Sequence, residues 1–154
     1  MNLLGAVNER EVYYFQLPNN GNWFDFLPFN NWLVIPISNE RDEHLINVVA
    51  EKCLEKKVTY ICTTGKDCEY VHDIFDETIV INRLTDGLPV DSPDDFEHEP
   101  MTTWNAEIAE CLWFALYTAH NEYNKIEKVV CLDLTRKESN EKILSALISQ
   151  FQDG

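Results

Sequence analysis

The chain has 154 residues, of which 45% are hydrophobic, 12% aromatic and 25% charged. This composition suits one domain with a buried core and not a disordered chain. Its 27 Asp and Glu outnumber 12 Lys and Arg, which leaves a formal charge of −15 at pH 7. That excess argues against direct binding to a nucleic-acid backbone or an anionic membrane, since both attract basic footprints, and it suits a basic partner or a need for solubility.

The first ten residues, Met1 to Arg10, carry no basic lead and only a short apolar stretch before Glu9, which does not fit a signal peptide. No run approaches the length that spans a bilayer, so the cytoplasm is the expected location. Residues 11–17 are rich in β-formers and read as a strand, and the turn formers Pro18 to Asn22 follow it. Trp23, Phe24, Phe26, Leu27, Phe29 and Trp32 then recur without a period and read as an irregular lid of rings over the core.

Trp32–Ile37 is a continuous apolar run, as expected of a strand buried on both faces, with pairing incomplete at Pro36. Ser38 or Asn39 is placed to cap a helix whose stripe is Leu45, Ile46, Val48, Val49, Cys53 and Leu54, with acids in its first turn and lysines in its last. Val58–Cys62 reads as a second strand, Thr63-Thr64-Gly65 as a turn, Asp67 to Phe75 as a short helix and Thr78–Asn82 as a third strand. The stretch from Arg83 to Pro100 holds Asp86, Asp91, Asp94, Asp95, Glu97 and Glu99 and three prolines, and reads as an acidic loop at about 83–101. Thr102 or Thr103 is placed to cap a largely buried helix from Trp104 to about His120. Val129–Leu134 is a fourth strand, and Thr135 with Glu138 matches a capping box for a last helix ending near Phe151.

This alternation predicts a single α/β domain over residues 1–154: a three-layer Rossmann-like or flavodoxin-like sandwich with a mainly parallel sheet of four core strands. The N-terminal strand is expected at an edge, where an antiparallel setting is allowed. Such sheets take ligands at the C-terminal ends of their strands. The residues expected there are Ser38, Asn39, Thr63, Thr64, Gly65, Asn82, Arg83, Asp133 and Thr135, each of which also has a plain role as a cap, turn or strand end.

The motifs that would fix a chemistry fail in detail. Thr63-Thr64-Gly65-Lys66-Asp67 has Tyr60 where a phosphate loop has its first glycine, and Asp67 where it has Ser or Thr. No dinucleotide fingerprint or nucleophile elbow is present. Asp73, Asp76 and Glu77 read as an acidic helix end, and the four histidines have no neighbours at ligand spacing, so neither metal nor cofactor is expected. The five cysteines, Cys53, Cys62, Cys68, Cys111 and Cys131, are odd in number and mostly sit among apolar residues, which predicts buried thiols without disulfides.

Two resemblances follow from these residues. Ile35-Pro36-Ile37-Ser38 leading into a charged helix, with Glu107 and Glu110 on a later helix, resembles over residues 32–134 the arrangement of nucleoside deoxyribosyltransferase and TIR-like folds. That resemblance implies a helix glutamate near a sugar at the strand ends. In size, acidity and absence of catalytic motifs, the chain also resembles small immunity proteins that neutralise bacterial toxins, a class without a shared motif. The second resemblance implies a non-enzymatic domain that binds a basic protein such as a nuclease toxin, and it is the favoured expectation. Asp86, Asp91, Asp94, Asp95, Glu97 and Glu99 are then expected to steer association, with Trp23, Phe24 and Phe29 as anchors if exposed. The sequence leaves the oligomeric state and the identity of the partner open.

Overall fold

In a computed structural model, described for residues 1–17, 21–85 and 99–153, six strands form one sheet in the order β1-β2-β6-β3-β4-β5. The strands are β1 (Asn2–Val7), β2 (Arg10–Gln16), β3 (Trp32–Ile37), β4 (Tyr60–Thr64), β5 (Met101–Asn105) and β6 (Lys128–Asp133). Four helices connect or follow them: α1 (Glu43–Glu55), α2 (Cys68–Thr85), α3 (Ile108–Tyr117) and α4 (Glu141–Asp153). Five strands are parallel, and only β1 runs antiparallel, against β2. From β3 the chain steps outward through β4 to β5, then returns to place β6 on the other side of β3. The reversal lies between β3 and β6, the position at which doubly wound sheets open a crevice.

Alternation along the strands feeds two cores. Leu33, Ile35, Val129, Cys131 and Val12 pack with Leu112 and Leu116 of α3 and Leu144 and Ile148 of α4. Trp32, Val34, Ile61, Val130 and Leu132 pack on the opposite face with Ile46 and Val49 of α1 and Val71 and Phe75 of α2. The central strands β3, β4 and β6 are therefore buried on both faces, which is why they read as largely apolar runs. The β3–β4 ladder skips Ile35 and Pro36, as the missing N–H of Pro36 requires. All five cysteines are buried free thiols, and burial pushes the Cys131 thiol up to about 12.

Several expectations are corrected. Thr78–Asn82 is not a strand: it lies inside α2, where Cys68, Val71, His72, Phe75, Thr78 and Ile79 continue one helical stripe and Val80 and Ile81 face outward. Neither Gly nor Pro separates Phe75 from Thr78, so the helix runs through a β-branched stretch that local propensity assigns to a strand. The place next to β4 is taken by β5, whose residues were expected to cap and begin a helix. Thr102 and Thr103 thus lie in a half-exposed edge strand, and the helix after it spans only Ile108–Tyr117. That helix is also less buried than its composition suggests, with Trp113 and Tyr117 exposed.

The N-terminal strand predicted over 11–17 does not end the sheet. It is β2, parallel to β6, and the preceding β1 forms the edge. The cap of α1 is Asp42, which accepts from the Leu45 N–H at 3.1 Å, and not Ser38 or Asn39. The last helix begins at Glu141 and not at the Thr135–Glu138 box. Residues 83–85 of the expected acidic loop belong to α2, and Asp86, Asp91, Asp94, Asp95 and Glu97 lie outside the described residues. No helix among the described residues is long and apolar enough to cross a membrane.

The β1–β2 hairpin turns at Asn8 and Glu9, both at positive φ (52° and 63°), which matches the right-handed twist of the paired strands. The turn caps α3. The Arg10 guanidinium donates to the carbonyls of Ala115 and Ala119, and the Asn8 amide donates to that of Leu116. Those of Ala115 and Leu116 are carbonyls that a helix end leaves without partners, Ala119 lies just beyond the cap, and a cation there suits the helix dipole. Arg10→Ala is expected to lower unfolding free energy by roughly 1.5–3 kcal/mol, the range for hydrogen bonds to a charged group. Urea denaturation of the two proteins checks this, with protection of the last α3 amides from hydrogen exchange expected to fall most.

Candidate functional site

Sequence placed the ligand-handling residues at the C-terminal strand ends near the switch point, and most of them lie at the ends of β3, β4 and β6. Ser38 follows β3, Thr63 and Thr64 end β4, Gly65 follows it, and Asp133 ends β6 with Thr135 two residues on. Asn39 is exposed beside them. Asn82 and Arg83 are not part of the group. The strand that was to carry them is the last turns of α2, which runs back to the opposite end of the sheet. There Arg83 pairs with Glu99, just before β5, at 2.7 Å.

Most of the gathered residues are spent on one another, although the buried Thr64 hydroxyl has no hydrogen-bond partner among the described residues. Asp133 is fully buried. Its Oδ2 accepts from the Tyr14 hydroxyl (2.5 Å), the Asn140 N–H (3.0 Å) and the Asn140 amide (3.1 Å). Its Oδ1 accepts from the Thr135 N–H (3.0 Å) and lies 2.5 Å from the Thr135 hydroxyl. A carboxylate so supplied is satisfied in its charged form without a ligand. It ties β2, β6 and the entry to α4 together. Burial, then the bond to Asp133, push the Tyr14 phenol up to about 12.

The β3–β4 side of the crevice is shut by backbone. Gly65 sits at φ +101°, and a Cβ there would meet the Ser38 carbonyl oxygen at 2.3 Å. The Ser38 N–H donates to the Thr64 carbonyl (3.3 Å), and the Ser38 hydroxyl donates to that of Glu40 (2.8 Å). The Thr63 hydroxyl donates to the Cys68 carbonyl at 2.8 Å. Above these, Arg136 reaches from the β6–α4 turn to Asp42 at the start of α1 (3.3 Å). The residues predicted to receive a ligand therefore close the crevice.

An open cleft of about 440 Å³ lies farther out, beyond β4. It is lined by Arg41, Lys66 to Tyr70 and Trp104 to Ala106. Arg41 pairs with Asp67 (3.1 Å) and lies over the Tyr70 ring (5.1 Å), and Trp104 meets His72 edge-on with centroids 4.7 Å apart. Glu107 and Glu110 stand at the start of α3 next to this cleft, both exposed. Asn105 organises them, accepting from the Glu107 N–H (2.9 Å) and donating to Glu110 (3.0 Å). They are thus separated from the β3–β6 switch point by β4 and β5. No group of three or more His, Cys, Asp or Glu among the described residues is placed to hold a metal.

The expected aromatic anchors divide. Trp23 is only 8% exposed and packs with Leu27 in the core below α1, so it cannot serve as a contact. The surrounding segment is a lid: it folds into a single 3-10 turn, Trp23–Phe26, and buries its first ring. Phe24 is half-buried under Lys52, and Phe29 is 62% exposed. Sequence reasoning missed Trp113 and Tyr117. Their signal was the exposed phase that Glu110 sets on α3, three and seven residues before them.

The chain matches the family described as Domain of unknown function (DUF7684) over residues 12–150. It belongs to that family. The match begins within β2 and runs into α4, so the DUF7684 domain includes the five parallel strands, all four helices and the Asp133 hub. No curated protein and no solved structure matches significantly.

Two outcomes test the closed crevice. Gly65→Ala combines a left-handed conformation with a backbone collision and is expected to cost on the order of 2–4 kcal/mol, measured by chemical denaturation. For Tyr14, a folded pKa raised from 10 to about 12 stabilises the fold fully below pH 10, and that contribution is lost as pH rises through 12. The stability gap between wild type and Tyr14→Phe should therefore narrow between pH 10 and pH 12. A gap that stays constant over this range would show that Tyr14 does not titrate there.

Proposed function

We propose that this DUF7684 domain is a non-enzymatic protein-binding domain that engages a basic protein, in the manner of an immunity or inhibitor protein acting on a basic toxin such as a nuclease. The observation that carries the reading is the charge, 27 acids against 12 bases. The filled crevice supports it, because Asp133, Thr135, Ser38 and Gly65 are committed to the fold. A net charge of −15 accelerates encounter with a cationic partner and repels anionic ones.

A second reading has one observation in its favour. The cleft beside Trp104 lies next to Glu107 and Glu110, the residues that a nucleoside-handling enzyme of the deoxyribosyltransferase or TIR-like type would use. It is the weaker reading, because neither Glu107 nor Glu110 is among the residues lining the cleft and the cleft is walled by the Arg41–Asp67 pair.

The test is affinity capture from the native cell, identification of the retained protein by mass spectrometry and stopped-flow association of the purified pair. A basic partner is expected, with an on-rate that falls about tenfold or more between low and physiological salt. An acidic partner, or an on-rate indifferent to salt, would overturn the proposal. Cleavage of a nucleoside by the same preparation, abolished in Glu110→Gln, would select the second reading.

A further inference from the structure

The outer face of α3 carries a row of rings that the core does not use. Trp113 is 50% exposed and Tyr117 43%, and their ring centroids are 5.4 Å apart with planes tilted by 37°. The Tyr117 ring meets Phe151 of α4 edge-on at 6.4 Å, so the row crosses from one helix to the next. Glu110 lies on the same stripe, one turn before Trp113. Two large rings half open to water on one helix face are more than scattered surface apolarity, and Trp and Tyr in such settings are the residues most often found as binding anchors.

The charge carried by α3 itself is of one sign, and the cation at its end, Arg10, is engaged by the Ala115 and Ala119 carbonyls. No Lys or Arg occurs between Arg83 and Lys125, and α3 contains neither. Glu107, Glu110 and Glu122 are exposed on or beside α3. Elsewhere the chain covers rings with its own cations: Arg41 lies over Tyr70, Lys52 over Phe24 and Lys128 over Tyr13. None of the cation–ring contacts among the described residues involves Trp113 or Tyr117. A ring face with a carboxylate beside it is a site for a guanidinium, which stacks flat on the ring while it donates to the carboxylate. A second copy of the chain is a poor occupant, since each copy brings a charge of −15.

We infer that Glu110, Trp113 and Tyr117, with Phe151 behind them, form a docking surface for an arginine side chain of a basic protein partner. The inference rests on the basic-partner reading and assigns it a place. The guanidinium lies over Trp113 against Glu110, and its aliphatic stem runs along Tyr117.

The experiment titrates the whole chain with an oligo-arginine peptide and with an oligo-lysine peptide of equal length. It follows the tryptophan indole N–H signals by NMR, together with the affinity. The variants are Trp113→Leu and Tyr117→Leu, on the exposed helix face, with Phe29→Ala as a control ring elsewhere. The expected result is a shift of the Trp113 indole in the wild type, tighter binding of arginine than of lysine, and an affinity loss of about tenfold in either α3 variant but not in the control. Binding that persists unchanged in both α3 variants overturns this surface and leaves the basic-partner reading standing. So does equal affinity for the two peptides with an unshifted Trp113 indole. The reading itself falls if the captured native partner is not basic or if its on-rate is indifferent to salt. In that case the α3 row loses its proposed occupant even if the peptide binds.

Discussion

The buried carboxylate of Asp133 holds the sheet and its last helix in one arrangement. It ends β6, the strand between β2 and β3. Its oxygens are supplied by Tyr14 from β2, by Thr135 from the following turn and by Asn140 at the entry to α4. A charge removed from water is costly unless donors replace the lost hydration. Here the donors come from three separate segments, so the carboxylate is comfortable only when all three are in place. The hub therefore links strand pairing to helix docking, and α4 in turn packs against β1 at the sheet edge, where the Gln152 amide donates to the Ala6 carbonyl at 3.1 Å.

The same economy explains why the usual ligand crevice is closed. A doubly wound sheet leaves polar backbone and side-chain groups at its strand ends, and these must be satisfied by a ligand, by water or by each other. In this chain most of them satisfy each other, the Thr64 hydroxyl excepted, with Gly65 allowing the β4 turn to approach Ser38 and Arg136 reaching across to Asp42. Among the described residues, surfaces open for recognition lie away from the crevice and include the cleft beside Trp104 and the ring row of α3. Both are bordered by acidic side chains, so the excess charge and the exposed aromatics occupy common ground.

Much of the α/β architecture was legible in the sequence. The runs Trp32–Ile37 and Val129–Leu134 can satisfy their composition only as strands buried on both faces, and the helices between them carry apolar stripes of clear period. The failures share one cause. Thr78–Asn82 has the residues of a strand but the phase of a helix, and phase is visible only when the whole stretch from Cys68 is read as one element. Met101–Asn105 has neither an apolar run nor a clean alternation, because an edge strand with one half-covered face imposes little on its residues. It becomes a strand through pairing with β4.

The sequence by itself determined the charge, the buried character expected of the cysteines, the α/β alternation outside the α2–β5 stretch and most of the polar residues at the strand ends. These follow from composition and local period, which need no knowledge of distant contacts. Tertiary structure alone decided that β6 inserts between β2 and β3, that Asp133 meets Tyr14 from a segment 119 residues away, and that Trp23 is core while Trp113 is surface. Each of these depends on which faces meet in space. An aromatic side chain gains free energy by burial wherever a partner surface exists, and only the assembled fold says which rings have found one.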